Sequence, residues 1–348
     1  MANGKIRFGK QSGGELALVI PDGVDNTEVI VPESGVLATE QYVDGKYTGF
    51  KNYIINGNFD IWQRGTSHTT NATINYGSAD RWRTVNLETT NLITTRQEVS
   101  GVVPFQAKYF IRQTVPLNTT TGTVLDQFIE GLRQFSNKVI TLSMWVKGTA
   151  GKKICIGLEA SYGTGGSPSI NESILGSVYT LSGGWKKISI TRILPDFING
   201  KTYGTNGNDC LRAVILTQSG SIGLSPEIFF QSGTFDIAQV QLEEGSVATP
   251  FEYRPTGLEL SLCQRYYETG LVSIWQGQSE YYRSSAYLNF KNQKRVPPSI
   301  SLSFVENNGY GAPAAEWTTV TGFNYAAISN TTTADGRVTS TFIASSEL

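Results

Sequence analysis

Imidazole is nearly absent from this chain: of 348 residues one is histidine, His68. Multi-histidine metal sites are thereby excluded, and a Ser or Cys nucleophile would have a single candidate base. Cysteine is scarce too. Cys155, Cys210 and Cys263 lie far apart without CxxC spacing, and an odd number closes no disulfide framework within one chain, which fits a reducing folding compartment. Charge is sparse and balanced, 28 Lys and Arg against 29 Asp and Glu, so no field gathers phosphates and nucleic-acid binding is not expected. No run approaches the roughly 18 apolar residues of a membrane span, and no apolar stretch follows MANGKIRFGK at residues 1–10. Neither membrane insertion nor export by a secretory signal is expected.

What is abundant points to strands. Gly (37), Tyr (16), Phe (16) and Trp (6) accompany many Thr, Ser and Asn, with only two Met. We expect an all-β protein in three parts. Residues 1–50 hold two short β-prone runs, Leu16–Pro21 and Glu28–Gly35, then a hinge over Thr39–Gly49. Two such strands are not stable alone, so this segment reads as an anchoring and oligomerisation region. Residues 51–255 show at least eight strands separated by Gly, Asn and Pro turns, which suits a two-sheet sandwich. In VITLSMWVKG, Ile140, Leu142, Met144 and Val146 share a core face, opposite Thr141, Ser143, Trp145 and Lys147. In TFDIAQVQLEE, Ala238, Val240 and Leu242 alternate with Ile237, Gln239 and Gln241. Further strands are expected at Ala107–Val115, Lys152–Tyr162, Trp185–Ile193, Leu211–Gln218 and Glu227–Gln231, and helices at Leu125–Phe135 and Thr256–Glu268. Residues 256–348 then read as a short helix followed by a smaller β-sandwich.

Catalytic signatures are weak. Gly4–Lys10 has phosphate-loop spacing, but Gln11 stands where Ser or Thr is required and no helix follows. Glu243 and Glu244 are neighbours on a strand, so they point to opposite faces and read as a solvated strand end rather than a glycosidase acid pair. His68 reads as an exposed loop residue. The stronger signal is aromatic. A Trp or Tyr ring on a polar face stacks on the apolar face of a sugar while nearby amides bond its hydroxyls. Trp145, with Gln239 and Gln241 from a second strand, forms one candidate carbohydrate-binding set; Trp275, Tyr281, Tyr282, Tyr310 and Trp317 form another in the last domain. Core packing is the competing reading for each.

The motifs NYIINGNFDIWQRGTS (52–67), YGSADRWR (76–83), SMWVKGTAGK (143–152), the Gly184–Lys187 strand, FDIAQVQLEEGSVATPFEYRP (235–255) and LSLCQRYYE (260–268) resemble those of bacteriophage tail-fibre and related virion proteins with a jelly-roll domain like a carbohydrate-binding module. The resemblance covers residues 50–270. It implies a non-enzymatic, homotrimeric appendage made in the host cytoplasm, fixed by residues 1–50 to a tail, baseplate or capsid protein, and attaching to host-surface glycans. It also implies a structural calcium, for which Asn58, Asp60 and Asp236 are the candidate ligands, and core roles for Trp62, Trp82 and Trp185. A capsid or collar decoration fibre and a polysaccharide depolymerase are the alternative readings.

Overall fold

The protein is all-β. A computed structural model describes residues 5–9, 15–19, 50–118, 122–218, 230–276, 282–329 and 336–348. The chain divides into two compact units, 1–49 and 50–348. Two strands of the first unit are described, β1 (Lys5–Gly9) and β2 (Glu15–Val19), paired antiparallel with Lys5 opposite Val19. β2 overlaps the expected run at Leu16; the run Glu28–Gly35 and the hinge at 39–49 lie outside the described residues. The phosphate-loop spacing falls on β1, an extended strand.

The second unit contains a large and a small sandwich, with strands numbered in chain order. One six-stranded sheet runs β11 (Glu172–Thr180), β10 (Lys153–Ser161), β13 (Cys210–Leu216), β8 (Thr123–Glu130), β5 (Arg83–Asn86), β4 (Thr73–Asn75). The other runs β12 (Lys186–Ile193), β9 (Val139–Gly148), β14 (Gly233–Glu244), β7 (Tyr109–Val115), β6 (Leu92–Glu98), β3 (Ser67–Thr70). Every described pairing is antiparallel, and the non-sequential order in both sheets is that of a jelly roll. The core between them is built from alternate residues of each strand. Ile140, Leu142, Met144 and Val146 of β9 meet Ile154, Ile156 and Leu158 of β10 and Leu211, Ala213 and Ile215 of β13.

The alternation expected for β14 breaks at a bulge. The register to β9 shifts between Ala238 and Gln241, and Gln239 takes a left-handed φ of 50°. One extra residue reverses the parity, so Ile237 joins Val240 and Leu242 in the core, while Ala238 joins Gln241 and Glu243 on the outer face. The peptide groups freed by the bulge are taken by the segment before the first strand of the sandwich. The Val240 amide donates to the Gly57 carbonyl (2.9 Å), and the Leu242 amide donates to Asn52 Oδ1 (3.0 Å). A Cβ at Gly57 would lie 2.1 Å from the Val240 carbonyl oxygen, so this close approach requires glycine.

The helix expected over Leu125–Phe135 is instead β8 and a 3-10 turn, Leu132–Phe135. Leu125, Gln127 and Ile129 alternate inward, and pairing on both sides with β13 and β5 outweighs the helical spacing. The other expected helix is present but shorter. α1 spans Thr256–Gln264, because Tyr267 opens β15. Of the strand expected at Glu227–Gln231, residues 227–229 lie outside the described residues, and Phe230 and Gln231 precede β14 without joining a strand. The small sandwich packs the sheet β15 (Tyr267–Gln276), β20 (Gly336–Ser345), β17 (Ser299–Asn308) on the sheet β16 (Arg283–Asn289), β19 (Gly322–Ile328), β18 (Ala314–Glu316), around Phe323, Tyr325, Val338 and Phe342.

The two sandwiches meet at a buried polar junction centred on the SADRW motif. The Arg81 guanidinium pairs with Glu347, donates to the Phe128 carbonyl (2.7 Å) and stacks 3.4 Å from the Tyr266 ring centroid. Arg64 pairs with Glu347 at 2.8 Å and lies over the Tyr267 ring. Asp80 accepts from the Gln63 amide and side chain, yet burial outweighs these partners and raises its carboxyl to about 6 from the ordinary 3.8. A carboxyl that binds its proton more tightly when folded contributes fully below about pH 4, and that contribution is lost as pH rises through 6. Urea unfolding should therefore show the wild-type chain gaining stability relative to Asp80→Asn between pH 7 and pH 5; a difference independent of pH would contradict it.

Candidate functional site

The outer face of the β12-β9-β14-β7-β6-β3 sheet carries an aromatic cluster. Trp145 of β9 is half-buried and stands in register between Lys187 of β12 and Ala238 of β14. Ala238 has too small a side chain to cover the ring. The connection between β6 and β7 brings Phe105 against Trp145, with centroids 5.4 Å apart, and edge-on to Trp185 at 4.9 Å. Phe110 of β7 also meets Trp185 edge-on, at 5.3 Å. Trp185 thus belongs to this outer cluster. It cannot point into the core, because Ile188 and Ile190 set the inward parity of that strand. Trp82 is fully buried in the core, and Trp62 packs partly buried against it.

Beside Trp145 lies a cleft of about 240 Å³ lined by Phe105, Gln106, Lys187, Gln239, Phe251 and Tyr253, together with Pro104 and Pro250. The bulge explains how Gln239 reaches it. Its amide donates to the Gln106 carbonyl and to the Tyr253 hydroxyl, which itself donates to Gln106, so one side chain ties together the two loops that form the rim. Lys187 donates to the Thr249 carbonyl at 2.9 Å, and burial lowers its ammonium, with Glu243 opposing that shift.

Gln241 takes a different part from the one its strand position suggested. It is buried, its amide nitrogen donates to Glu243 (2.8 Å), and its oxygen accepts from the Glu252 amide (2.8 Å). Glu243 is buried as well, accepting from the Thr249 amide and hydroxyl, whereas Glu244 points away to Lys138 at 2.9 Å. The expected solvated strand end is therefore a buried anchor for the 246–254 loop. The two carboxylates do not face a common bond. His68 lies on β3, half-buried, and burial lowers its imidazole.

The small sandwich separates the remaining candidates. Trp275 and Trp317 are each 73% exposed but belong to different sheets, Trp275 on β15 and Trp317 directly after β18. Tyr282 is half exposed, Tyr310 is buried against Ser284, and Tyr281 lies outside the described residues.

The calcium set does not assemble. Both oxygens of Asp236 are held by the Arg112 guanidinium, at 2.7 and 2.8 Å. Asn58 and Asp60 do meet, at 2.9 Å, beside a void of about 20 Å³, and Asn58 Oδ1 is buried without a partner. Burial raises the Asp60 carboxyl. Glu252 and Glu259 line the same void, but they are engaged by the amides of Lys51, Asn52 and Asn56. One amide oxygen and one carboxylate fall short of the roughly six to eight oxygens calcium requires. Among the described residues no three His, Cys, Asp or Glu side chains group as a metal site.

No protein-family model matches the chain, and no curated protein matches it. Solved structures similar to part of it include the CBM22-2 xylan-binding domain of Xyn10C from Paenibacillus barcinonensis, at 14% identity and TM-score 0.31, covering 56% of this chain and 99% of that one. A family 11 carbohydrate-binding module from Clostridium thermocellum, solved with a mixed-linked tetrasaccharide, gives 12% identity and TM-score 0.30, covering 53% and 98%. The N-terminal cellulose-binding domain of β-1,4-glucanase C from Cellulomonas fimi gives 10% and 0.29, covering 55% and 95%. What this chain binds has to come from its own surface.

Phe105, Lys187, Phe251 and Tyr253 line the cleft without having been singled out in the sequence. Phe251 and Tyr253 carried a readable signal, two rings alternating between Pro250 and Pro255. Phe105 carried only its place after Pro104. Replacing Gln239 by Gly keeps the left-handed backbone and removes the tie, so Gln239→Gly should unfold within about 1 kcal/mol of wild type. Its rim loops should nonetheless lose protection in amide hydrogen exchange; unchanged protection at 105–106 and 251–253 would contradict this role.

Proposed function

We propose that the protein is a non-catalytic glycan-binding protein and that the Trp145 cleft is its sugar site. The observation that carries this reading is a half-buried indole on a polar sheet face, opening into a ring-lined cleft and flanked by an amide and an ammonium. A pyranose has one apolar face to lay on a ring and a perimeter of hydroxyls to bond, and the cleft offers both kinds of partner side by side. The Trp145 ring is braced by Phe105, and the rim loops are pinned by Gln239, Gln241 and Lys187, so little order remains to be imposed when a ligand enters.

The resemblance of residues 50–270 to virion appendage proteins supports a place for this surface, on a fibre anchored through residues 1–50 and presenting several copies to a host glycan. Tethered copies raise the effective concentration of a second binding event without any new contact, which suits a shallow single site. Replacing Trp145 by Ala removes the platform while leaving an outer-face position that the core does not need. On a glycan array the variant should lose about tenfold or more in affinity at this site, equivalent to about 1.4 kcal/mol of ring stacking. Equal binding with the fold intact would overturn the assignment.

A further inference from the structure

A second groove lies on the outer face of the β16-β19-β18 sheet, on the small sandwich and independent of the Trp145 cleft. Its volume is about 320 Å³. Its floor is flat because Ala314 of β18 and Ala326 of β19 stand opposite each other in register, with Ser285 of β16 on the far side of Ala326. Arg283 stands opposite Ile328 in register and reaches diagonally over β19 to pair with Glu316. Asn324 of β19, in register with Glu316, donates to the same carboxylate at 3.4 Å.

The next residue in the chain after Glu316 is Trp317, whose indole is 73% exposed and lies 5.8 Å from the Arg283 guanidinium carbon. Its backbone φ is +46°, a conformation that bulky L residues rarely adopt. A strained main chain holding the largest side chain in solvent runs against both folding terms at once, and such strain persists at ligand sites.

We infer that this groove is a second saccharide site, selective for neutral sugars. The Trp317 ring, next in the chain to the groove-lining Glu316 and beside the Arg283 guanidinium, supplies a stacking surface adjoining the groove, and the Arg283–Glu316 pair supplies adjacent donors and acceptors that match neighbouring hydroxyls. The charge balance decides the class. An anionic ligand would meet Glu316 and a cationic one Arg283, whereas a neutral polyol leaves their pairing intact and adds bonds to both.

The test uses the full chain on an array of neutral, sialylated and sulfated glycans, comparing the unaltered protein, Trp145→Ala, Trp317→Ala and the double variant. The Trp145→Ala protein should retain binding to neutral glycans, and adding Trp317→Ala should lower that residual binding by about fivefold or more. Trp317→Phe, which keeps a ring, should retain most of it, and circular dichroism should show each variant folded. A smaller fall in the double variant, residual binding confined to acidic glycans, or no residual binding in Trp145→Ala would overturn the second site. Binding untouched by Trp145→Ala and lost in Trp317→Ala would instead overturn the cleft on the large sandwich and leave this groove standing.

Discussion

The bulge in β14 is the constraint on which the large sandwich and its cleft both depend. An antiparallel strand presents alternate faces, and a twelve-residue strand such as this one would otherwise put Ile237 outside or Val240 and Leu242 outside. Holding Gln239 in a left-handed conformation avoids that conflict and keeps apolar residues on the core side at both ends. The same irregularity frees the Val240 peptide to bond Gly57, which docks the segment 52–57, and it turns the Gln239 side chain toward the two rim loops. Core parity, docking of the 52–57 segment and shaping of the cleft follow from one inserted residue.

A second constraint acts between the sandwiches. Arg81 is fully buried and has a left-handed backbone, with Glu347 and the Tyr266 ring as its partners. Removing one member of such a group leaves an uncompensated buried charge, a loss of about 3 to 5 kcal/mol, so the junction holds its parts together as a set. Asp80, Gln63 and Arg64 extend it on the large sandwich, and Tyr267 extends it on the small one. A fully buried Lys294–Glu268 pair stands a few residues away along β15 and the loop before β17. The SADRWR and CQRYYE motifs meet at this junction, which accounts for their polar content as joining rather than ligand-contacting chemistry.

Much of the architecture was legible in the sequence because it rests on period-two patterns. The core face of β9 could be read from alternation, and the small sandwich from a run of β-prone segments after one helix. The reading failed where a long-range contact overrode the local pattern. Leu125–Phe135 has helical spacing as well as strand alternation, and only its pairing with β13 and β5 selects between them. The parity of β14 could not be read, since a bulge at a glutamine leaves no glycine signature. Trp145 and Gln239 were legible as candidates on two separate strands, and the pairing of β9 with β14 is what makes those strands neighbours. Gln241 was not distinguishable from Gln239, because what separates them is the phase of the bulge. Trp275 and Trp317 looked alike in sequence, yet topology sends them to different sheets.

Of the two ring-bearing surfaces proposed as sugar sites, the Trp145 cleft is the more strongly braced. The most direct test of that claim is to follow the indole N–H resonances of the full chain by NMR while titrating in a glycan selected from an array. The account predicts that the Trp145 signal shifts saturably, with Trp185 following through Phe105, while Trp82, buried and bonded to the Asn56 carbonyl, does not move. Saturable binding that leaves the Trp145 signal in place would contradict it.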